Sequence, residues 1–98
     1  MWQIKIHPLV YQEDFKAIPS KDQIEILKTI QKKLSLHPEQ YGQPLRREFA
    51  RYWRLRVRDY RVIYRIIKEE VIVLVVKIGI RRDDLVYKEF FTRLKKIP

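Results

Sequence analysis

The stretch Tyr52 to Ile67, YWRLRVRDYRVIYRII, alternates apolar and cationic positions on either side of a turn signal at Arg58-Asp59. Period two is the spacing of a strand, whose side chains point to opposite faces in turn. Two such runs joined by two residues lie side by side as a hairpin. Folding there sets Arg56 opposite Arg61 and Arg54 opposite Ile63. Trp53, Leu55, Val57, Tyr60, Val62, Tyr64 and Ile66 then share one face, and Arg54, Arg56, Arg61 and Arg65 fall on the other. Like charges set opposite each other on a sheet destabilise it. Such a row is tolerable if water covers it, or if something anionic does.

The rest of the chain supplies what the hairpin packs on. Trp2-Gln3-Ile4-Lys5-Ile6-His7 alternates and reads as a first strand that Pro8 ends. Leu9 to Ala17 reads as a short helix with Tyr11, Phe15 and Ile18 on one side. Ser20-Lys21-Asp22-Gln23 has the form of a capping box, opening a helix to about Leu36 with Ile24, Leu27, Ile30 and Leu34 as its apolar stripe. Residues 37–51, HPEQYGQPLRREFAR, are a polar and basic connection into the hairpin. After the turn Lys68-Glu69-Glu70, the run VIVLVVKIG reads as a central strand buried on both faces. A turn centred on Glu69 sets Lys77 beside Arg61 on the basic face, with Arg81 just beyond. Asp83 or Asp84 opens a last helix, with Leu85, Val86, Phe90, Phe91 and Leu94 available to pack and Tyr87 in its first turn. The order β-α-α-β-β-β-α predicts an α+β fold in one domain over residues 1–98. It has a mostly antiparallel four-stranded sheet, an N-terminal helical hairpin and a C-terminal helix.

Composition narrows the function. The formal net charge is +10 on 98 residues. Residues 46–65 hold eight arginines (46, 47, 51, 54, 56, 58, 61 and 65) against Glu48 and Asp59, so most of the excess lies in one stretch. Arginine offers a planar fork that matches phosphate in two-point contacts. A field of this sign favours nucleic acid, an anionic membrane surface or an acidic protein. No apolar run approaches the ~20 residues of a membrane span. The first residues have no signal-peptide layout, and a cytoplasmic protein is expected. There is no Cys, and the two His are 30 residues apart, so no zinc spacing and no thiol chemistry are expected. Two glycines, Gly42 and Gly79, make no phosphate loop. No carboxylate cluster suggests Mg²⁺, and no cofactor is expected.

A basic face with aromatics beside it holds phosphates, and it also stabilises the charge that builds when a phosphodiester is attacked. RNA brings its own nucleophile, the 2′-hydroxyl. Cleavage without a metal then needs cations for the developing charge, a donor for the leaving 5′-oxygen and a base for the 2′-OH. Arg61, Arg81 and Tyr87 are of the right types, and Tyr87 can also stack on an exposed base.

The motif YWRLRVRDYRVIYRI, the apolar strand after it, Gly79, Arg81-Arg82 and Val86-Tyr87 together resemble the RelE/ParE superfamily of toxins from toxin–antitoxin pairs, closest to RelE-like messenger-RNA interferases. The resemblance covers essentially the whole chain. It implies a type II toxin: a ribosome-dependent, metal-independent endoribonuclease that cuts mRNA in the A site, with mRNA and ribosomal RNA as partners and an acidic antitoxin as its inhibitor. It implies that Arg61 stabilises the transition-state phosphate, that Arg81 assists the leaving group or the charge and that Tyr87 stacks on the substrate base. Arg54 and Arg56 stand where the best-known RelE-like enzymes carry lysines. Arginine does not lose its proton, so a base must be found elsewhere. Glu48, in the loop before the hairpin, is the acidic alternative. Arg46, Arg47, Arg51, Arg65, Lys77 and Arg82 are expected to add phosphate contacts. The same superfamily motif is compatible with a ParE-like toxin acting on DNA gyrase, and the residues alone also allow an RNA-binding domain without turnover.

Overall fold

The structure, a computed structural model, describes residues 1–80 and 83–97, and of Asp83 and Asp84 only the backbone. Strand β1 (Gln3–Ile6) places Trp2, Ile4 and Ile6 against the core. Pro8 ends it and also begins α1 (Pro8–Gln12), since a proline at the first helical position lacks only an N–H the helix would not use. His7 caps this helix, its Nδ1 accepting from the Leu9 N–H at 3.1 Å. The helix expected over 9–17 breaks after one turn into a 3-10 turn (Asp14–Ala17). The break delivers the Asp14 carboxylate to the edge of a later strand.

Helix α2 (Ser20–Leu34) buries Ile26, Ile30 and Leu34 with Leu27 beside them. Ile24, expected in the stripe, is 56% exposed; the stripe runs through 26, 27, 30 and 34, the spacing of one helical face. The expected capping box does not form either. Pro19 is the N-cap, and the Gln23 amide instead donates to the Phe15 and Ile18 carbonyls at 2.9 and 2.7 Å. A single-turn α3 (Pro38–Tyr41) and a two-residue strand β2 (Gln43–Pro44) follow. Gly42 between them is required by space: a Cβ there would lie 1.8 Å from the Tyr64 hydroxyl, which donates to the Pro38 carbonyl at 2.6 Å.

The hairpin forms as its alternation demands. Strands β3 (Tyr52–Val57) and β4 (Tyr60–Ile67) pair with Arg56 opposite Arg61, Arg54 opposite Ile63 and Tyr52 opposite Arg65. The turn puts Arg58 at φ 52°, a left-handed conformation that a two-residue hairpin needs and that normally selects glycine. A 3-10 turn (Lys68–Glu70) leads to β5 (Ile72–Ile80) and then α4 (Asp83–Arg93).

Among the described residues the sheet has five strands, in the order β1-β5-β4-β3-β2. It is mixed, because β1 runs parallel to β5 while the other neighbours are antiparallel. The expected four strands become five because β2 is too short to show a period. One face, with Leu55, Val57, Val62, Tyr64, Val73 and Val75, packs under α2. The other face is not purely basic. Tyr52, Ile63 and Val76 lie among its arginines and are covered by Val86 and Phe90 of α4, with the Tyr52 and Phe90 rings edge-to-face at 4.8 Å. Leu85 and Phe91 were expected to pack but stay exposed; Val86, Phe90 and Ile97 form the buried stripe. No helix among the described residues is long and apolar enough to cross a membrane.

Candidate functional site

The arginine face and α4 share one side of the sheet, and two devices fix how α4 lies there. Gly79 is the first. A Cβ on it would sit 2.9 Å from Val86 Cγ2, so the helix approaches the strand as closely as it does only because glycine stands there. The second is a buried ionic cluster. Strand β1 covers β5 only as far as Val75. Beyond that point Asp14 Oδ2 accepts the Ile78 N–H at 2.9 Å, as a strand carbonyl would. The same carboxylate binds Lys77 Nζ at 2.8 Å and both terminal nitrogens of Arg93, at 2.7 and 2.8 Å. Arg93 also donates to the Val76 carbonyl and to Glu13. Burial alone would lower the Arg93 pKa, but its bonds to Asp14 and Glu13 and their charge hold it above the ordinary value.

With α4 so placed, Tyr87 comes to the hairpin. Arg54 Nη1 donates to the Tyr87 hydroxyl at 3.1 Å, while Arg54 Nη2 donates to Gln43 Oε1 at 2.7 Å. Arg54 thus bridges the sheet edge and the helix. The Tyr87 ring stacks on Phe49, centroids 6.1 Å apart and planes 29° apart. Phe49 comes from the 3-10 turn Arg47–Phe49, which Arg47 enters at φ 57°. Glu48 lies in that turn and lines, with Phe49, Tyr87 and Phe91, a cavity of about 440 Å³. Arg61 is half-buried on β4, opposite Arg56 on one side and Gly79 on the other, with Nη1 donating to the Tyr60 carbonyl at 3.2 Å. Arg56 is exposed and Arg65 half-buried on the same face. Together these groups offer cations and an aromatic plane to one ligand, a combination suited to a phosphate with a base attached.

The other residues singled out in the sequence divide. Arg46, Arg47 and Arg51 are exposed in the connection before β3. Arg81 and Arg82 lie outside the described residues. Lys77 is a correction. It is 6% exposed and bound to Asp14 and to Glu89 at 3.1 Å, so it belongs to the α4 anchor and not to the open basic face. The pairing sets Lys77 opposite Ile63, two residues from the position beside Arg61, which Gly79 takes; there Asp14 and Glu89 enclose its ammonium. Sequence reasoning also missed Gln43 and Phe49. Phe49 had a signal, as the one phenylalanine in an otherwise polar connection; Gln43 had none.

Two further cavities flank this site. One, of about 480 Å³, is lined by the ionic anchor, including Glu13, Asp14, Lys77, Glu89 and Arg93. A smaller groove of about 190 Å³ is lined by Lys33, Tyr41, Gln43, Arg54, Leu55 and Arg56.

A family model described as the ParE toxin of the type II toxin–antitoxin system parDE matches residues 4–85, a span that holds the hairpin and β5 and stops short of Tyr87. No curated protein matches the chain at a significant level. Among solved structures, a chain of the RelBE2 toxin–antitoxin complex from Mycobacterium tuberculosis is 26% identical, with TM-score 0.76 over 82% of this chain and 98% of that one. The isolated E. coli RelE toxin is 18% identical, with TM-score 0.67 over 96% and 99%. A chain of the archaeal RelE–RelB complex from Pyrococcus horikoshii is 21% identical, with TM-score 0.59 over 84% and 97%. The last two likenesses are likenesses of fold.

Proposed function

The chain belongs to the RelE/ParE superfamily of toxins from type II toxin–antitoxin systems, and on that premise we propose that it is a ribosome-dependent endoribonuclease of the RelE kind. The observation that carries this reading is the meeting of Tyr87 with the arginine face through Arg54. Tyr87, stacked on Phe49, presents an aromatic plane to a splayed base of the mRNA, and Arg54 holds it there. The 2′-hydroxyl of that nucleotide attacks its own 3′ phosphate. A 2′-O–P bond forms, the P–O5′ bond breaks, and a 2′,3′-cyclic phosphate and a free 5′-hydroxyl result. Arg61 and Arg56 stabilise the charge on the phosphorane-like transition state. Glu48, on the cavity that Tyr87 also lines, takes the 2′-OH proton, and Arg81 assists the departing oxygen. The domain spans residues 1–98, works in the cytoplasm without metal or cofactor, and draws Arg46, Arg47, Arg51, Arg65 and Arg82 to ribosomal or messenger phosphates. Its charge of +10 suits an acidic antitoxin.

Cleavage of mRNA on programmed ribosomes tests this. Arg61→Ala is expected to slow cutting by about 10²–10³-fold, the cost of removing one preorganised charge-stabilising donor. Tyr87→Phe keeps the ring but loses the Arg54 bond and should slow cutting in part, whereas Tyr87→Ala, which loses both, should slow it more. Equal rates in all of these proteins would remove the site assignment.

The matched family bears the ParE description, and this favours a second reading, inhibition of DNA gyrase. Supercoiling by purified gyrase in the presence of the protein separates the two. Inhibition without mRNA cleavage would replace the first reading with the second.

A further inference from the structure

The groove beside β3 has a role that the hairpin motif does not supply. Strand β2 pairs with β3 only at Arg54 and Trp53. Past that point no strand among the described residues flanks Leu55–Val57 on the outer side. The gap is walled by α2 and α3, which bring Lys33 and Tyr41 to the open edge, with Lys33 Nζ 5.4 Å from the Tyr41 ring centroid. Among the described residues, three of the six lining side chains (Lys33, Arg54 and Arg56) are cations, and none is a carboxylate. The other cavities differ in this respect. The anchor cavity holds Glu13, Asp14 and Glu89, and the Tyr87 cavity holds Glu48.

We propose that this groove binds a backbone phosphate of the same RNA strand whose base lies on Tyr87, with Lys33 as its main cation and Tyr41 beside it. The proposal rests on the RNA-directed reading above and adds a second contact point to it. Arg54 ties the two together, because it lines the groove and also bonds Tyr87. A strand with one nucleotide on Tyr87 therefore runs past Arg54 to the edge of β3. Lys33 and Arg56 bring positive charge to this groove of about 190 Å³, and a phosphate between them is attracted by both. An acidic peptide meets the same cations, but the aromatic flank and the continuity with Tyr87 favour a nucleic acid strand.

The test uses a fluorescein-labelled single-stranded oligouridylate and anisotropy over a salt series. Each phosphate neutralised on a single strand contributes about 0.7 to the slope of log K against log salt. Lys33→Gln should lower the slope by about that amount and weaken binding several-fold at low salt, and Lys33→Arg should restore both. Lys28→Gln, an exposed lysine elsewhere on α2, should leave them unchanged. Equal slopes for wild type and Lys33→Gln would overturn the proposal. So would equal losses in the Lys28 and Lys33 variants, or no measurable RNA binding by wild type at low salt. Dependence on Lys33 for an oligoglutamate peptide but not for RNA would assign the groove to a protein partner. Ribosome cleavage is read separately. Wild type that cuts, with a slope indifferent to Lys33, defeats only the groove; wild type that does not cut, with a slope that needs Lys33, defeats only the nuclease reading.

Discussion

Asp14→Ala probes how far one carboxylate holds α4 to the sheet. Asp14 accepts four hydrogen bonds, two from Arg93 and one each from Lys77 and the Ile78 N–H. Its side chain is 1% exposed, and those of Lys77 and Arg93 are 7% and 4% exposed. Alanine leaves two buried cations and one backbone N–H facing an emptied position. Removing one partner from a buried ion pair costs about 3–5 kcal/mol. Glu89 remains 3.1 Å from Lys77 and Glu13 remains 3.0 Å from Arg93, but both are about half exposed and compensate only in part. The expected loss is therefore at the lower end, about 3 kcal/mol. Small domains have only about 5–15 kcal/mol in total. At about 4–8 °C per kcal/mol for a domain near this size, Tm falls by roughly 12–24 °C. Thermal unfolding followed by far-ultraviolet circular dichroism measures it, with urea midpoints as a second scale. A companion chain carrying Asp14→Leu, Lys77→Met and Arg93→Met replaces the whole cluster with apolar volume, and should recover most of the loss. A fall of less than about 4 °C in Asp14→Ala would refute the anchor. A triple variant no better than the single one would show that stranded charge is not what destabilises it.

Three further outcomes are expected. The hydrogen bond to Asp22, then burial and the charges of Asp22 and Asp59, push the Tyr60 hydroxyl up to about 12 from 10.0. The folded state holds this proton more tightly than the unfolded chain, so its contribution is complete below pH 10 and is lost as pH rises towards 12. Tyr60→Phe should remove that part of the alkaline decline in urea midpoint, and an unchanged decline would contradict the assignment. Val71 sits at φ 56° and is 46% exposed, a left-handed conformation costly to a β-branched residue. Val71→Gly should gain about 1 kcal/mol in urea unfolding, and a loss would show that the strain is not the governing effect. Gly79→Ala should destabilise by about 1–3 kcal/mol through its clash with Val86, and adding Val86→Ala should return part of it. Strictly additive losses would mean that the two positions do not press on each other.

The parts of this fold that repeat with a period were legible in the sequence. Alternation over 52–67 set the pairing of β3 with β4 residue by residue, down to Arg56 opposite Arg61. The same signal was less exact in β5, where Lys77 pairs with Ile63 and not beside Arg61, and where Asp14 and Glu89, contributed by other elements, take it into the anchor. Nothing periodic marks a two-residue strand such as β2, so the fifth strand was invisible. The parallel partner of β1 was also beyond local pattern, since it depends on where the chain returns after all the other elements. At the candidate site, the arginine face and Tyr87 were foreseen as ingredients. Their meeting through Arg54, and the Phe49 ring beneath Tyr87, are tertiary facts. Asp14 was never singled out, because a lone carboxylate in a short helix gives no sign that it will be buried.

The parallel pairing of β1 with β5 bears on the order in which the molecule assembles. The hairpin is local and closes across two residues, but residues 3–6 have no strand to join until residues 72–75 are present. Closing so long a loop is entropically unfavourable and slow relative to hairpin formation. On a chain emerging from its N-terminus, Ile4 and Ile6 therefore wait through the synthesis of the residues up to β5 before they gain strand partners. Strand β1, made before the hairpin, is secured after it, and α4, with Tyr87, follows later still. Pulse-labelled amide exchange should show β3 and β4 protected before β1.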